Sequence, residues 1–429
     1  MNVWIAGVEL WITLPLVLRQ ILIGLTALAV ATQINRAIDR FAFGSPGCDA
    51  WSPAPSEMPR RHWSDRLPII GWWFLRREAE HHGRWFWIRP LLIELIFPLG
   101  LIWLYYFELT GGLYPENWRL LTDQAIHAQF FAHAVLIALM TIATSIDFDE
   151  KTIPDQVTLL GTTFAVLWFS WLPIAALPTV VTVHFVPKTY HVILTTSNSM
   201  PHWTSGIGGP QSWPLWLNGQ SGLAIGAACV LAWWLASIPK IWTLRRGLLN
   251  AWRFAIASIL RYRTWRLPVL AAIPILIAMT IAYQIGGDHW QMMLSSLIGM
   301  AVAGGFTWCI RLIASHVLKT EALGFGDVTL MSMLGAFLGW QAALMVFFLA
   351  PVTAVVVAIV QWLVTRRNDI AFGPYLCLAA LVLVLGWRQI WHEWAIMFFS
   401  MGWILPIIIV ISLVLLGIML WIWQAFKQM

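Results

Sequence analysis

Apolar runs of about twenty residues alternate with short polar breaks along most of the chain, the pattern expected of helices that cross a bilayer. They fall at 14–34, 91–109, 125–146, 157–182, 222–238, 267–285, 292–316 and 327–340. A ninth ends at Arg366-Arg367, and two more cover 370–386 and 396–422. The expected fold is all-α, a polytopic helical membrane protein with about eleven transmembrane helices. The longest polar region follows the first run and predicts a small cytoplasmic domain. Within it, Leu67-Pro68-Ile69-Ile70-Gly71-Trp72-Trp73-Phe74-Leu75 is apolar but too short to span. Six segments result: a first transmembrane segment at 1–38, the cytoplasmic domain at 39–90, a first membrane core at 91–182, an insertion at 183–285, a second membrane core at 286–390, and an extra C-terminal helix at 391–429. The insertion combines a Trp- and Pro-rich outer loop (184–220), two helices and a basic loop.

Composition sharpens this picture. The 429 residues are 59% hydrophobic, with a mean hydropathy of +0.74, which excludes an ordinary soluble core. The basic residues are concentrated in two places. Arg60, Arg61, Arg66, Arg76, Arg77, Arg84 and Arg89 mark the first, and Lys240, Arg245, Arg246, Arg253, Arg261, Arg263 and Arg266 the second. The positive-inside rule puts both in the cytoplasm and the N-terminus outside. The net charge of +6 therefore reads as topology and attraction to anionic lipids, not as a nucleic-acid site. An amphipathic stretch at 248–260 is expected to lie along such lipids. The start of the chain has no basic n-region, so no signal peptide is predicted. His127 and His133 lie in an apolar run without ligand neighbours and are expected to be packing residues.

Candidate chemistry resides in carboxylates at the ends of apolar runs. Gly324-Phe325-Gly326-Asp327 opens one run, and Ile146-Asp147 closes another ahead of Phe148-Asp149-Glu150 and Ile153-Pro154-Asp155. A carboxylate there is costly unless wetted, paired or protonated. The glycines remove side-chain bulk, so another backbone can approach. The topology puts Asp147 and Asp327 on the cytoplasmic face, where two carboxylates can share a proton and hydrolyse a peptide. Two other readings remain at this point. Intramembrane carboxylates also serve proton-coupled transporters, although transport sites tend to lie near the midplane. Alternatively, Asp327 only caps a helix and Asp147 and Asp149 decorate a loop, leaving a catalytically silent scaffold. Glu94, near the start of the second run, is either a snorkelled interface residue or a buried polar contact to the catalytic region. Asp155, beside Pro154, is expected to cap the fourth helix.

These residues resemble the type IV prepilin peptidase family of intramembrane aspartyl proteases. The likeness rests on Asp147, on Ile153-Pro154-Asp155 and on Gly324-Phe325-Gly326-Asp327. Asn35 and Arg40, Leu67 to Trp72, Arg89-Pro90 with Glu94, Glu321, Leu334 to Trp340 and Phe372-Gly373-Pro374-Tyr375 add to it. The resemblance implies an aspartic endopeptidase that removes basic leader peptides from prepilins or pseudopilins of type IV pili and type II secretion. Its site would be at the cytoplasmic face of the bacterial inner membrane. It implies catalysis by Asp147 and Asp327, with Asp149 the nearest competitor for the first role. Gly324, Gly326, Pro154, Asp155, Asp149, Glu321 and Glu94 would support them. Glu321, Asp149 and Glu150 could attract a basic leader. Proteolysis would need no cofactor.

Many members also N-methylate the product using S-adenosylmethionine, and carry two CxxC pairs suited to zinc. Here the four cysteines, Cys48, Cys229, Cys309 and Cys377, form no CxxC pair. Glu78-Ala79-Glu80-His81-His82-Gly83 stands where the second pair would lie. The spacing of Cys48, His81 and His82 matches no common metal site, so no zinc is expected, and methyl transfer is left open.

Overall fold

A computed structural model describes every residue except 1, 44–49, 53, 55–57, 59, 114–121, 186–187, 196–213, 239–252, 254–256, 258, 260, 262–264, 321–322, 366–370, 400, 402–403 and 429. The chain divides into two compact units, Met1–Pro154 and Asp155–Met429.

The first unit is built on α1 (Asn2–Ile12), α2 (Leu16–Phe41), α3 (Ile88–Leu109) and α4 (Asp123–Glu150). Pro15 separates α1 from α2 without a side-chain cap. The α2 helix packs on α3 and α4, and α1 on α4, where Trp4 Nε1 donates to the carbonyl of Gln124 at 3.4 Å. Far from Asp147 along α4, a polar cluster joins these helices. Arg19 Nη1 and Trp11 Nε1 donate to the Tyr105 hydroxyl at 3.0 and 3.2 Å. His127 Nδ1 donates to the carbonyl of Asp123 at 2.6 Å, and its Nε2 lies 3.0 Å from the Tyr105 hydroxyl. His133 Nδ1 lies 2.7 Å from Glu108 Oε1. Both histidines are buried packing groups, as their sequence context suggests.

Between α2 and α3 the chain makes short helical turns at Trp63–Arg66, Ile70–Leu75, Arg76–Glu78 and Ala79–His82. Ala50, Trp72 and Leu75 form a small core, with Phe86, Trp87 and Leu91 packed against it. Two arginine–carboxylate pairs surround it. Arg61 grips Glu78 bidentately, Nε to Oε1 at 3.0 Å and Nη2 to Oε2 at 2.6 Å, with both side chains buried. Arg77 grips Asp65, whose carboxylate also accepts the His62 amide at 2.8 Å. Burial raises the Glu78 carboxyl, but the Arg61 hydrogen bonds and charge outweigh it and leave the pKa below the usual range. Asp65 is depressed for the same reason, with Arg77 as its partner.

The second unit contains α5 (Asp155–Trp171), a hairpin of β1 (Pro178–Phe185) and β2 (Lys188–Thr195), α6 (Gln220–Ser237), α7 (Arg266–Ile285), α8 (Gly287–Leu318), α9 (Phe325–Leu338), α10 (Trp340–Thr365), α11 (Gly373–Leu385) and α12 (Ile404–Gln428). The hairpin corrects part of the sequence reading. The fourth apolar run was expected to stay helical to 182 and then become loop. Instead α5 stops at Trp171, and antiparallel pairing runs from Pro178↔Thr195 to Phe185↔Lys188. Its Thr-Val-Val-Thr-Val content is β-branched, which favours a strand over a helix. Trp387 Nε1, stacked on Trp391 at 4.8 Å, donates to the Pro178 carbonyl at 2.7 Å.

A helix stands at each of the eleven expected places, but they are not all of usual spanning length. Among the described residues eight helices are long and apolar enough to cross, or nine with the pair 373–385 and 388–399, which bends by 83°. The α5 and α9 helices have 17 and 14 residues, at and below the lower end of the roughly 17–25 residues of a spanning helix. The α9 helix is cut short because Gly339, at φ +84°, ends it and Trp340 at once begins α10. It is buried from Asp327 to Leu338 among α5, α8, α10 and α11. A helix apolar on all sides is stable only in such a setting.

The closest packing in this unit is between α8 and α9. A Cβ on Gly299 would stand 2.2 Å from the carbonyl oxygen of Gly335, and one on Gly304 would stand 2.0 Å from Ser332 Oγ. Ser296 Oγ donates to the Ala336 carbonyl at 2.8 Å. Small residues let the two backbones approach, as in membrane helix pairs generally.

Candidate active site

Asp147 lies in the last turn of α4, with a side chain only 5% exposed. Lys151, in the left-handed region at φ 56°, ends the helix and donates its amide to the Asp147 carbonyl at 2.9 Å. The chain then passes through buried Ile153 and Pro154. Asp149, two residues on, is exposed and ion-paired with Arg89. Glu150 accepts the Phe43 amide at 2.8 Å. Burial thus separates the two candidates for the first role. Asp147 is shielded from water, and Asp149 is exposed and offset by a guanidinium.

Asp327 is 8% exposed and occupies the third position of α9. It is not the N-cap. That place belongs to Gly324, whose amide donates to Asp327 Oδ2 at 3.2 Å. The bond is half of a capping box; glycine has no side chain to supply the reciprocal half. Gly324 has φ −67°, so this turn does not use glycine's left-handed freedom. Its missing side chain matters instead, since a Cβ there would face Asp327 Oδ2 at 3.4 Å. Gly326 lies inside the first turn, where its carbonyl accepts the Thr329 hydroxyl at 3.0 Å.

Arg311, on α8, is a site residue that sequence reasoning missed. Its Nε donates to the Leu323 carbonyl at 2.9 Å, and its guanidinium lies 5.7 Å from the centre of the Phe325 ring. A basic residue inside an apolar run, two turns before its end, was the available signal. Its partner is a backbone carbonyl, which no motif reveals.

Glu94 is buried, not snorkelled. Oε1 accepts from Asn35 Nδ2 at 3.1 Å and Oε2 from the Ile69 amide at 2.6 Å. Ile69 has φ +65° and ψ −60°, and the Ile70 amide reaches back to the Pro68 carbonyl at 2.6 Å. This is a strained γ-turn, and Glu94 ties it to α2 and α3. Asp155 is the first residue of α5, with Pro154 just before it; an acidic group there suits the positive end of the helix dipole. Glu321 and Cys48 lie outside the described residues, as do most of the basic loop and of the Trp-rich loop.

Asp147 belongs to the first unit, and Asp155, Gly324, Gly326 and Asp327 to the second. Of the site residues, hydrogen bonds within one unit join Gly324 to Asp327 and Asn35 to Glu94. Among the described residues no three His, Cys, Asp or Glu side chains cluster as metal ligands. Both Glu78 oxygens already accept from Arg61, so this donor set does not fit a tetrahedral metal site. Burial and the Arg61 charge oppose protonation of His82, and its pKa stays low despite Glu78 3.5 Å away.

Residues 248–359 match the family model described as the type IV leader peptidase family. The match includes Gly324 to Asp327 and excludes Asp147. Over 128 residues the chain is 34% identical to a prepilin leader peptidase/N-methyltransferase of Escherichia coli (strain K12), covering 29% of this chain and 56% of the relative. A protein of the same name from Aeromonas salmonicida (strain A449) is 26% identical over 200 residues, covering 43% of this chain and 67% of the relative. One from Pectobacterium carotovorum subsp. carotovorum is 27% identical over 213 residues, covering 45% and 75%. No solved structure matches the chain. The family resemblance read from the two-aspartate motifs is borne out by these matches.

Proposed function

We propose that this chain is an intramembrane aspartic endopeptidase that removes the basic leader peptide from prepilins or pseudopilins. The observation that carries the reading is a shared chemical setting. Asp147 ends α4 and Asp327 opens α9, and each carboxyl is at least nine-tenths buried at a helix terminus. In the proposed reaction one carboxylate, ionised, takes a proton from water while the water oxygen attacks the scissile carbonyl. The other, protonated, donates to the carbonyl oxygen. Two close carboxyls sharing one proton titrate as a unit near the pH where this division of labour works. No metal and no covalent intermediate enters.

The scissile bond would follow a glycine at the cytoplasmic mouth of the substrate's apolar helix. In this reading the N-terminus lies outside, both aspartates face the cytoplasm of a bacterial inner membrane, and the basic loops meet anionic lipid. The charges near Asp147 refine the leader-binding idea. Asp149 is paired with Arg89 and Glu150 accepts the Phe43 amide; with Glu321 they are the acidic groups proposed to attract a basic leader. A proton-coupled transporter fits less well, because both aspartates stand at helix ends rather than mid-helix. N-methylation of the product is a separate step. S-adenosylmethionine would enter only there, as the methyl donor, and cleavage does not depend on it.

The test uses the full chain in liposomes of anionic lipid, with a prepilin-like helix whose basic leader ends in Gly-Phe. Release of the leader with a new N-terminal Phe, identified by mass, is the expected result. An intact substrate beside a folded chain, across several such leaders, would contradict the reading.

A further inference from the structure

The amide that joins Leu323 to Gly324 has two partners. Its carbonyl oxygen accepts from Arg311 Nε at 2.9 Å, and its N–H donates to Asp327 Oδ2 at 3.2 Å. The arginine and the aspartate are thus connected through one peptide plane. A cation hydrogen-bonded to a carbonyl draws electron density from the amide and strengthens the N–H on its far side as a donor. A donor aimed at a carboxylate favours the ionised form.

We infer that Arg311 is a positioning residue that acts through the Leu323–Gly324 peptide to hold Asp327 as the ionised member of the catalytic pair. Asp327 is then the base that takes the proton from water, and its partner is the acid. This assignment of roles rests on the proposed peptidase reading and goes beyond it. Nothing in the Gly-Phe-Gly-Asp motif distinguishes base from acid.

The geometry fits a built device. Arg311 lies about two turns before the end of α8, and its hydrogen bond holds Leu323 beside that helix. The brace extends the line of close packing made by Ser296, Gly299 and Gly304 against α9. Phe325 flanks the guanidinium from the next position of the turn, a cation–π contact that orients the arginine. Other ionisable groups on the elements packed around this end of α9 are Cys309 and His316 on α8, Lys319 just after it, Asp155 on α5, and Tyr375 and Cys377 on α11. The described side chains of α10 include none. Glu321, in the turn itself, lies outside the described residues.

The experiment titrates Asp327 by infrared spectroscopy in the full chain, labelled with carboxyl-13C aspartate. Its protonated band is assigned by its absence in Asp327→Asn. Arg311→Gln is expected to raise the midpoint by about one pH unit, with Arg311→Lys between it and the native chain. The acid limb of the cleavage profile should move to higher pH in the same order, and KM for the leader should change little. A merely structural role would lower activity at all pH values without moving the limb. Phe325→Leu, which keeps the hydrogen bond, should shift the midpoint least.

Unchanged midpoints in Arg311→Gln and Arg311→Lys would overturn the inference. If Arg311→Gln does not fold, Arg311→Lys decides alone. A shifted midpoint in a chain that cleaves no prepilin would retire the peptidase reading and leave the Arg311–Asp327 coupling in place. Cleavage with no shift would do the reverse.

Discussion

Gly299 and Gly335 meet backbone to backbone, so that a Cβ on either would stand 2.2 Å from the other's carbonyl oxygen. Neither atom can swing aside, since both are main chain in packed helices. Gly335→Ala must therefore push α8 and α9 apart, and with them the turn that holds Asp327. The expected cost is about 3 kcal/mol, the upper end for overpacking a core. A lowered unfolding temperature in detergent and loss of cleavage would report it. Gly305→Ala, on α8 with nothing within 4 Å of its Cβ, should be neutral or slightly stabilising.

Glu94 accepts from two donors at once, Asn35 Nδ2 and the Ile69 amide. Glu94→Gln presents one acceptor and one amide NH₂, so one of these donors must face another donor. The predicted destabilisation is about 1–3 kcal/mol, as for a buried group left unsatisfied. Ile69→Gly should recover part of it, because glycine tolerates φ +65° and isoleucine does not. Thermal unfolding of the single and double variants checks this.

The Arg61–Glu78 pair should make the segment 61–82 sensitive to acid. Glu78 has a folded pKa below its ordinary value. Its contribution is therefore present above the unfolded pKa and is lost as pH falls through the folded one. Protection of the amides around Trp72, corrected for the intrinsic exchange rate, should fall as the pH drops below about 4. In Glu78→Gln, which removes the carboxylate that Arg61 grips with two nitrogens, exchange should already be faster than in the native chain at neutral pH. Identical exchange in both chains at pH 7 would sink this account.

Much of this fold was legible because the membrane imposes length and hydropathy on each helix. What was missed has identifiable causes. Val180, Val181 and Val183 are as apolar as any helical residue, so the hairpin merged with the run before it. Gly339 was legible as a break, but not the fact that it leaves α9 at 14 residues, shorter than a usual span. At the site, Asp147 was preferred over Asp149 by motif, and burial now gives a physical reason. Asp327 was weighed as an N-cap, but it stands three positions further on, with Gly324 as the cap. The Arg311 brace could not be read, because its partner is the main-chain carbonyl of Leu323, a residue that carries no signature; for Glu94 a buried contact was legible, but not its partners, the Asn35 side chain and the Ile69 amide.

The most direct test compares cleavage of one prepilin-like substrate by the native chain, Asp147→Asn, Asp327→Asn and Asp149→Asn, each verified as folded. The account predicts a loss of about a thousandfold in both Asp147→Asn and Asp327→Asn, the scale of a lost general acid or base. Asp149→Asn should keep most of the native rate, since its carboxylate is exposed and paired with Arg89. Near-native cleavage by Asp147→Asn or by Asp327→Asn would contradict the two-aspartate mechanism.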